Sequence, residues 1–146
     1  MAHNIFSDWT DVEYEKLLGY AAPAEKKTKN YARASNTAEA ADSIDWKELG
    51  MVSPVSYQVT CGSDWALSAV AAVEGAYGIQ TGKFVALSSQ QLLDCSGKAT
   101  SCQGGTIITA FDYLETSKAM AAKDYPYYAI KGDCLYDETK GTSAKV

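Results

Sequence analysis

The chain has 146 residues and a formal net charge of -5, from 13 basic and 18 acidic residues. This length fits one domain of ordinary size, and the negative charge argues against nucleic acid as a partner. No apolar run approaches the roughly 20 residues of a membrane span. The only histidine is His3, which excludes most histidine-rich metal sites, and we expect neither a metal nor a cofactor.

The first predicted helix lies near the N-terminus. Thr10 can cap it, and Asp11 and Glu13 place acidic groups in its first turn, where they complement the helix dipole. With Gly19 as its end, this helix has about ten residues. Residues 21–43 that follow are rich in Ala, Lys, Thr, Asn and Ser. Because this composition offers little apolar surface to bury, it predicts a linker or a strap laid along the surface.

The strongest helix pattern covers residues 65–79. Ser63 or Asp64 can cap this helix, and Gly82 can end it in a left-handed conformation. Apolar residues lie on all its sides, which is typical of a buried central helix and not of a surface helix.

Two further helices are predicted downstream. Residues 88–91 form a capping-box pattern that leads into Leu92 and Leu93. Apolar residues at helical spacing follow Gly104 and Gly105. No strand pattern is convincing, so the sequence predicts a mostly helical globular part.

The four cysteines are Cys61, Cys95, Cys102 and Cys134. Their spacing contains no C-x-x-C pair, and no pair of histidines follows, so zinc binding is poorly supported. The even count favours two disulfides and an oxidising compartment. The N-terminus shows no basic and apolar signal-peptide pattern, which leaves two alternatives: a mature fragment, or a chain whose thiols are reduced.

The residues Cys61-Gly62-Ser63-Asp64-Trp65 resemble the C-G-[SA]-C-[WY] signature of papain-like cysteine proteases, with Asp64 at the position of the nucleophilic cysteine. Other stretches resemble the same family in the same order. They are Ile44-Asp45-Trp46 at the start of the mature enzyme, residues 87–95 ("LSEQxLVDC"), residues 101–105 ("GCxGG") and Tyr125-Pro126-Tyr127 ("YPY").

Upstream, Asn4, Phe6 and Asp8 match most of the G-x-N-x-F-x-D motif of the family's propeptide. The resemblance implies a propeptide-like remnant over 1–20, a linker or strap over 21–43, and the helical left domain of an α+β, two-domain papain-like fold over 44–146. It also implies that the right domain is missing. We therefore expect a mostly α chain held by disulfides.

The resemblance further implies the disulfides Cys61–Cys102 and Cys95–Cys134, with buried thiols as the alternative. An oxidising compartment (secretory, lysosomal or intermembrane) would suit these disulfides, whereas the lack of a visible signal peptide keeps a cytosolic or cytoskeletal assembly open.

Catalysis in this family needs a thiolate, an imidazole and a residue that orients the imidazole. Asp64 replaces the first, and the other two are expected beyond residue 146, so we predict that the chain is not an enzyme. Gln58 matches the oxyanion donor, and Gly104 and Gly105 match the glycines that approach the substrate backbone. We expect the Asp64 carboxylate to lie near the Gln58 amide; the alternative is that Gln58, Gly104 and Gly105 serve packing alone.

The function predicted is that of a non-catalytic pseudoprotease, a structural or docking subunit that binds other protein chains through its exposed cleft face. The alternative is a regulator or inhibitor of active papain-like proteases, acting through Phe6, Asp8 and Trp9. A third interpretation is a processed piece of a longer enzyme.

Overall fold

A computed structural model describes residues 3–21, 42–97, 102–142 and 144. Most of the predicted linker, residues 22–41, therefore lies outside the described residues. The described part contains four α-helices and one 3₁₀-helix. Their bounds are α1 Asp11–Glu15, α2 Asp64–Thr81, α3 Ser89–Cys95, α4 Ile107–Thr116 and the 3₁₀-helix Glu138–Lys140. Strand pairing over these residues is limited to three isolated bridges, so the described chain is mostly helical, as predicted.

Helix α1 is shorter than predicted. Thr10 forms the full capping box, because its hydroxyl accepts from the Glu13 amide and the Glu13 carboxylate accepts from the Thr10 amide. These bonds hold the pKa of Glu13 below its ordinary value. The helix ends at Glu15 and not at Gly19. The reason is tertiary: Leu17 turns into the domain, where it is only 8% exposed.

Helix α2 is the central element and packs against both α3 and α4. Its buried residues include Trp65, Ala69 and Val73, and Gly82 ends it in the left-handed conformation with φ 68°. Ser63 occupies the N-cap position without making a side-chain cap bond; its hydroxyl hydrogen-bonds the hydroxyl of Tyr127 instead.

Helices α3 and α4 begin at the predicted places. The Ser88 hydroxyl accepts from the Gln91 amide at the start of α3, and Thr106 caps α4. The buried Gln91 side chain does not return the capping-box bond to Ser88. It accepts from the Met120 amide and donates to the Lys118 carbonyl, so it ties α3 to the chain after α4.

Both disulfides implied by the resemblance are present in the structure. Cys61–Cys102 joins the loop before α2 to the loop before α4. Cys95–Cys134 joins the end of α3 to the C-terminal loop. The sequence separations are 41 and 39 residues. On the chain-entropy model, each crosslink stabilises the fold by about 4 kcal/mol.

No helix in the described part of the chain is both long and apolar enough to cross a membrane.

Candidate functional site

The candidate site lies where α2 begins. Asp64 is the first residue of α2, and the preceding loop carries Gln58. The Gly62 amide donates to the Cys102 carbonyl at 2.8 Å, and the Tyr127 hydroxyl donates to the Gln58 carbonyl at 3.0 Å. Burial raises the pKa of Tyr127, with its hydrogen bond to Ser63 acting in the opposite direction. The loop is thereby fixed at both ends.

The Gln58 side chain forms its hydrogen bonds with backbone carbonyls and not with Asp64. Its amide nitrogen donates to the Leu17 carbonyl at 2.8 Å and to the Cys61 carbonyl at 3.0 Å. These two bonds use both amide hydrogens, so the Gln58 amide donates none to the Asp64 carboxylate, although both side chains line one cavity. That the two lie close enough to interact stays a prediction. One of the two acceptors, the Leu17 carbonyl, comes from the N-terminal part of the chain, which packs against this loop.

The Asp64 carboxylate lies against Gly19 instead. Its Oδ1 atom is buried without a hydrogen-bond partner, and a Cβ atom placed on Gly19 would lie 2.4 Å from it. The positive end of the α2 dipole favours a carboxylate at this position. Asp64 is therefore held by the helix field and by close packing, without the cap bond that its position suggested.

Gly104 and Gly105 contact the same N-terminal stretch. The Gly105 amide donates to the Gly19 carbonyl at 2.8 Å, and the Ala21 amide donates to the Gly105 carbonyl at 2.9 Å. Tyr20 and Gly105 form a parallel bridge. We call residues 17–21 the cleft segment, because they run across the backbone of Gly105 and past Gln58 and Asp64.

Glycine is required on both sides of this contact. A Cβ atom on Gly19 would lie 1.8 Å from the Gly62 carbonyl oxygen, and one on Gly105 would lie 2.4 Å from the ring of Trp65. From the sequence, Gly19 is predicted only as a helix end, and neither Leu17 nor Gly19 is predicted as a site residue. A glycine within the apolar run Leu17-Leu18-Gly19-Tyr20 was the available signal.

The propeptide-like motif forms a turn ahead of α1. The Asn4 side-chain oxygen accepts from the Phe6 amide at 2.9 Å, and the Phe6 ring packs edge-on against Trp9 at 5.1 Å between centroids. Asp8 is exposed. Phe6, Leu17, Gln58 and Asp64 line a shared cavity of about 280 Å³. The motif thus stands next to the candidate site.

A second site residue, Glu74, is not predicted from the sequence. It lies in the middle of α2, is 4% exposed, and accepts from the Leu87 amide at 2.7 Å. Burial raises its pKa, partly offset by the bonds to Leu87 and to the Ser53 hydroxyl. A buried glutamate within an apolar helix was the available signal.

Glu74 opens onto a groove of about 350 Å³, which we call the Glu74 groove. Its walls are residues 53–57, one side of α2, residues 86–87 and 89, Ala122 and Tyr127. Val55 and Tyr57 on its rim are exposed. Within the described ranges, no cluster of three or more His, Cys, Asp or Glu side chains could hold a metal ion.

The fold and site together place a glutamine side-chain donor and a glycine pair beside the start of a buried helix. The family profile described as papain family cysteine protease matches residues 40–146. The chain belongs to this family.

Among curated proteins, it is similar to cathepsin S of Rattus norvegicus, with 38% identity over 135 residues, and to caricain of Carica papaya, with 37% identity over 145 residues. These matches cover 87% and 97% of the chain but 41% and 42% of the relatives.

Among solved structures, the digestive procathepsin L2 proteinase from Tenebrio molitor larval midgut superposes with a TM-score of 0.84 at 32% identity. The match covers 99% of this chain and 49% of that one. The chain therefore spans less than half the length of these three relatives.

Proposed function

We propose that this chain is a non-catalytic papain-family domain whose cleft half is occupied by its own N-terminal segment and which serves as a docking subunit for another protein. The observation that carries the proposal is the Asp64 carboxylate at the start of α2, packed against Gly19. The resemblance assigns this position to the thiol nucleophile.

A carboxylate is a poor replacement for that thiol. If Asp64 attacked an amide, the carboxylate would leave the tetrahedral intermediate more readily than the amine, so the substrate would reform. The chain has one histidine, His3, and it lies outside the site. Within the described residues, Asp64 therefore has no imidazole beside it of the kind that activates a nucleophile in this family.

The cleft segment supports the same conclusion. The Leu17 carbonyl accepts from the Gln58 amide. The Gly19 carbonyl accepts from the Gly105 amide, and the Ala21 amide donates to the Gly105 carbonyl. An incoming peptide would have to displace the segment before it could use any of these groups.

The docking role rests on exposed apolar surface at the Glu74 groove. Val55 and Tyr57 line the Glu74 groove and are exposed, and the nearby Val52 is exposed as well. Exposed apolar surface of this kind marks interaction sites in soluble proteins.

A peptidase assay tests the absence of catalysis. We expect no Asp64-dependent turnover of a fluorogenic peptide amide by the natural protein. The matched variants are Asp64→Asn and, as a control, Asp124→Asn at an exposed position. Turnover that is lost in Asp64→Asn and kept in Asp124→Asn would contradict the proposal.

Docking is tested by measuring the size at which the natural protein migrates in extracts of its source. We expect a complex larger than its own polypeptide, which Val55→Glu dissolves and Val12→Glu, on exposed α1, leaves intact. A natural protein that migrates at its own polypeptide mass would count against a docking role.

The alternative function, inhibition of an active relative through Phe6, Asp8 and Trp9, is less well supported. The cleft segment next to this motif already contacts its own domain, with Leu17 buried. If inhibition in trans were the function, the chain would inhibit papain-like proteases at micromolar concentration, and release of the segment would strengthen the effect. The docking role predicts no inhibition.

A further inference from the structure

Val59 has a strained backbone in the loop beside the cleft segment. Its φ angle is 61°, in the left-handed region that a β-branched side chain normally avoids. Its side chain is 42% exposed, so burial of that side chain does little to offset the strain. Such a backbone persists only where the surrounding contacts hold it. We call residues 58–60 the Val59 loop and ask which contacts hold it.

The Val59 loop is held from two sides. On the domain side, the Tyr127 hydroxyl donates to the Gln58 carbonyl at 3.0 Å, and the Cys61 amide donates to the same carbonyl at 3.3 Å. On the other side, the Gln58 side-chain amide donates to the Leu17 carbonyl at 2.8 Å. Because Leu17 belongs to the cleft segment, the conformation of the loop depends in part on that segment.

The residues that follow Val59 also lie against the N-terminal part of the chain. Thr60 lines a cavity of about 320 Å³ together with Trp9 and Leu17. A Cβ atom on Gly62 would lie 3.1 Å from the Cα atom of Gly19. Departure of the cleft segment would therefore remove a hydrogen bond before Val59 and packing contacts after it.

Ala129 provides an internal comparison. Its φ angle is 59°, and among the described residues only Ala129 and Val59 combine a side chain with a positive φ. Both neighbours of Ala129 bond to Gln90: the Tyr128 amide donates to its side-chain oxygen at 2.8 Å, and its side-chain nitrogen donates to the Ile130 carbonyl at 2.7 Å. These contacts come from α3, so the domain itself holds Ala129 in this conformation.

We propose that the strained Val59 loop makes the cleft segment a releasable cover. While the segment is bound, the loop holds Val59 at a positive φ; when the segment leaves, Val59 returns to an extended backbone. The strain is then present only in the covered state, so it raises the free energy of that state and favours release. This inference rests on the covered cleft half of the proposed function and is independent of docking.

Hydrogen exchange of the Ala21 amide, which donates across the contact to the Gly105 carbonyl, measures release of the segment. Val59→Gly removes the strain from the covered state, although a glycine loses more backbone freedom when it is held. We expect the Ala21 amide to exchange about fivefold more slowly in Val59→Gly than in the native chain. Val59→Asn should have a smaller effect in the same direction, because asparagine tolerates the left-handed conformation.

Ala129→Gly is the matched control, because it relieves the same kind of strain at a residue that the domain holds. It should leave the exchange of the Ala21 amide unchanged. A second measurement uses the backbone scalar couplings of Val59, which depend on φ. They should indicate a positive φ in the native chain and a negative φ in Gly19→Ala, in which the segment is displaced.

Unchanged or faster Ala21 exchange in Val59→Gly, equal slowing by Ala129→Gly, or a positive φ that survives release of the segment would overturn the inference. If Gly19→Ala does not fold, the exchange rates of the Val59 variants decide. Rapid Ala21 exchange in a native chain whose α2 amides are protected would refute the covered cleft half itself, and the inference with it.

Discussion

Two regions of the same helix differ in how they are covered. At the start of α2, Asp64 lies beneath the cleft segment, whose backbone satisfies Gln58 and Gly105. Ten residues further on, Glu74 opens onto a groove with an exposed apolar rim. A helix that is apolar all round needs cover on every side. The N-terminal part of this chain covers one region, and the described residues leave the other open.

Because the two regions are covered differently, we assign a different role to each of them. The covered region is closed by backbone hydrogen bonds and by glycine contacts too tight for any side chain. The open region contains the buried carboxyl group of Glu74 and mainly apolar walls, a composition that ligand pockets share. The first accounts for the absence of catalysis in our proposal, and the second for docking.

The largest expected effect comes from the disulfides. Replacing Cys61 and Cys102 together by serine should cost about 4 kcal/mol on the chain-entropy model and should also release the cleft segment, because this disulfide fixes the loop next to Gly62. Urea unfolding measures the first effect, and hydrogen exchange of the Ala21 amide measures the second.

The Cys95–Cys134 disulfide supplies the control for that comparison. It closes a loop of similar length away from the cleft segment, so its serine variant should lose similar stability and keep the Ala21 amide protected. Equal release of the segment by both variants would show that its cover depends only on overall stability.

Gly19→Ala should have the next largest effect. Its Cβ atom would overlap the Gly62 carbonyl, and we expect a loss of about 2 kcal/mol with exposure of Leu17 to proteolysis. Gly75→Ala is the matched control, since the nearest atom to its Cβ lies 3.9 Å away and alanine favours a helix. Unchanged stability of Gly19→Ala would contradict the close contact.

Gln58→Ala tests the hydrogen bond that holds the cleft segment from the domain side. Loss of its bonds to Leu17 and Cys61 should cost about 1.5 kcal/mol and speed hydrogen exchange in the segment. Gln80→Ala, at an exposed position on α2, should leave both quantities unchanged. If the two variants behave alike, the Gln58 amide does not hold the segment.

The smallest expected effect is the pH dependence that Glu74 gives to the free energy of unfolding. Because burial raises the pKa of Glu74 in the folded chain, the folded state binds more protons than the unfolded state between the ordinary carboxyl pKa and the raised one. The contribution of Glu74 to stability is therefore lost as the pH rises through this window.

Unfolding by urea at a series of pH values measures this trend. The lowered pKa values of Glu13 and Asp137 produce the opposite trend, so the difference between native chain and Glu74→Gln isolates the Glu74 contribution. A difference that does not vary with pH would mean that Glu74 keeps its ordinary pKa.

The local features of the fold were predictable from sequence. The capping residues Thr10 and Ser88 and the helix end at Gly82 depend on neighbours within a few residues, and the pattern of such neighbours is visible in the chain. The disulfide pairs followed from the family resemblance, since four cysteines by themselves allow three pairings.

The features that were not predicted depend on contacts between distant residues. Helix α1 ends early because Leu17 is drawn into the domain, and the Gln58 amide is taken by the carbonyl of Leu17, 41 residues away. No local pattern at Gln58 or Asp64 contains this contact. The same is true of Glu74, whose buried carboxyl group accepts from the Leu87 amide, 13 residues away.

Hydrogen exchange of the Ala21 and Gly105 amides tests most directly whether the cleft segment covers Gly105 and the start of α2. These amides donate across the contact in opposite directions, and Ala21 is otherwise exposed. We expect both amides to be protected in the native chain and to lose protection together in Gly19→Ala, while the amides of α2 keep theirs. Rapid exchange of both amides in a native chain whose α2 amides are protected would show an open cleft and contradict this expectation.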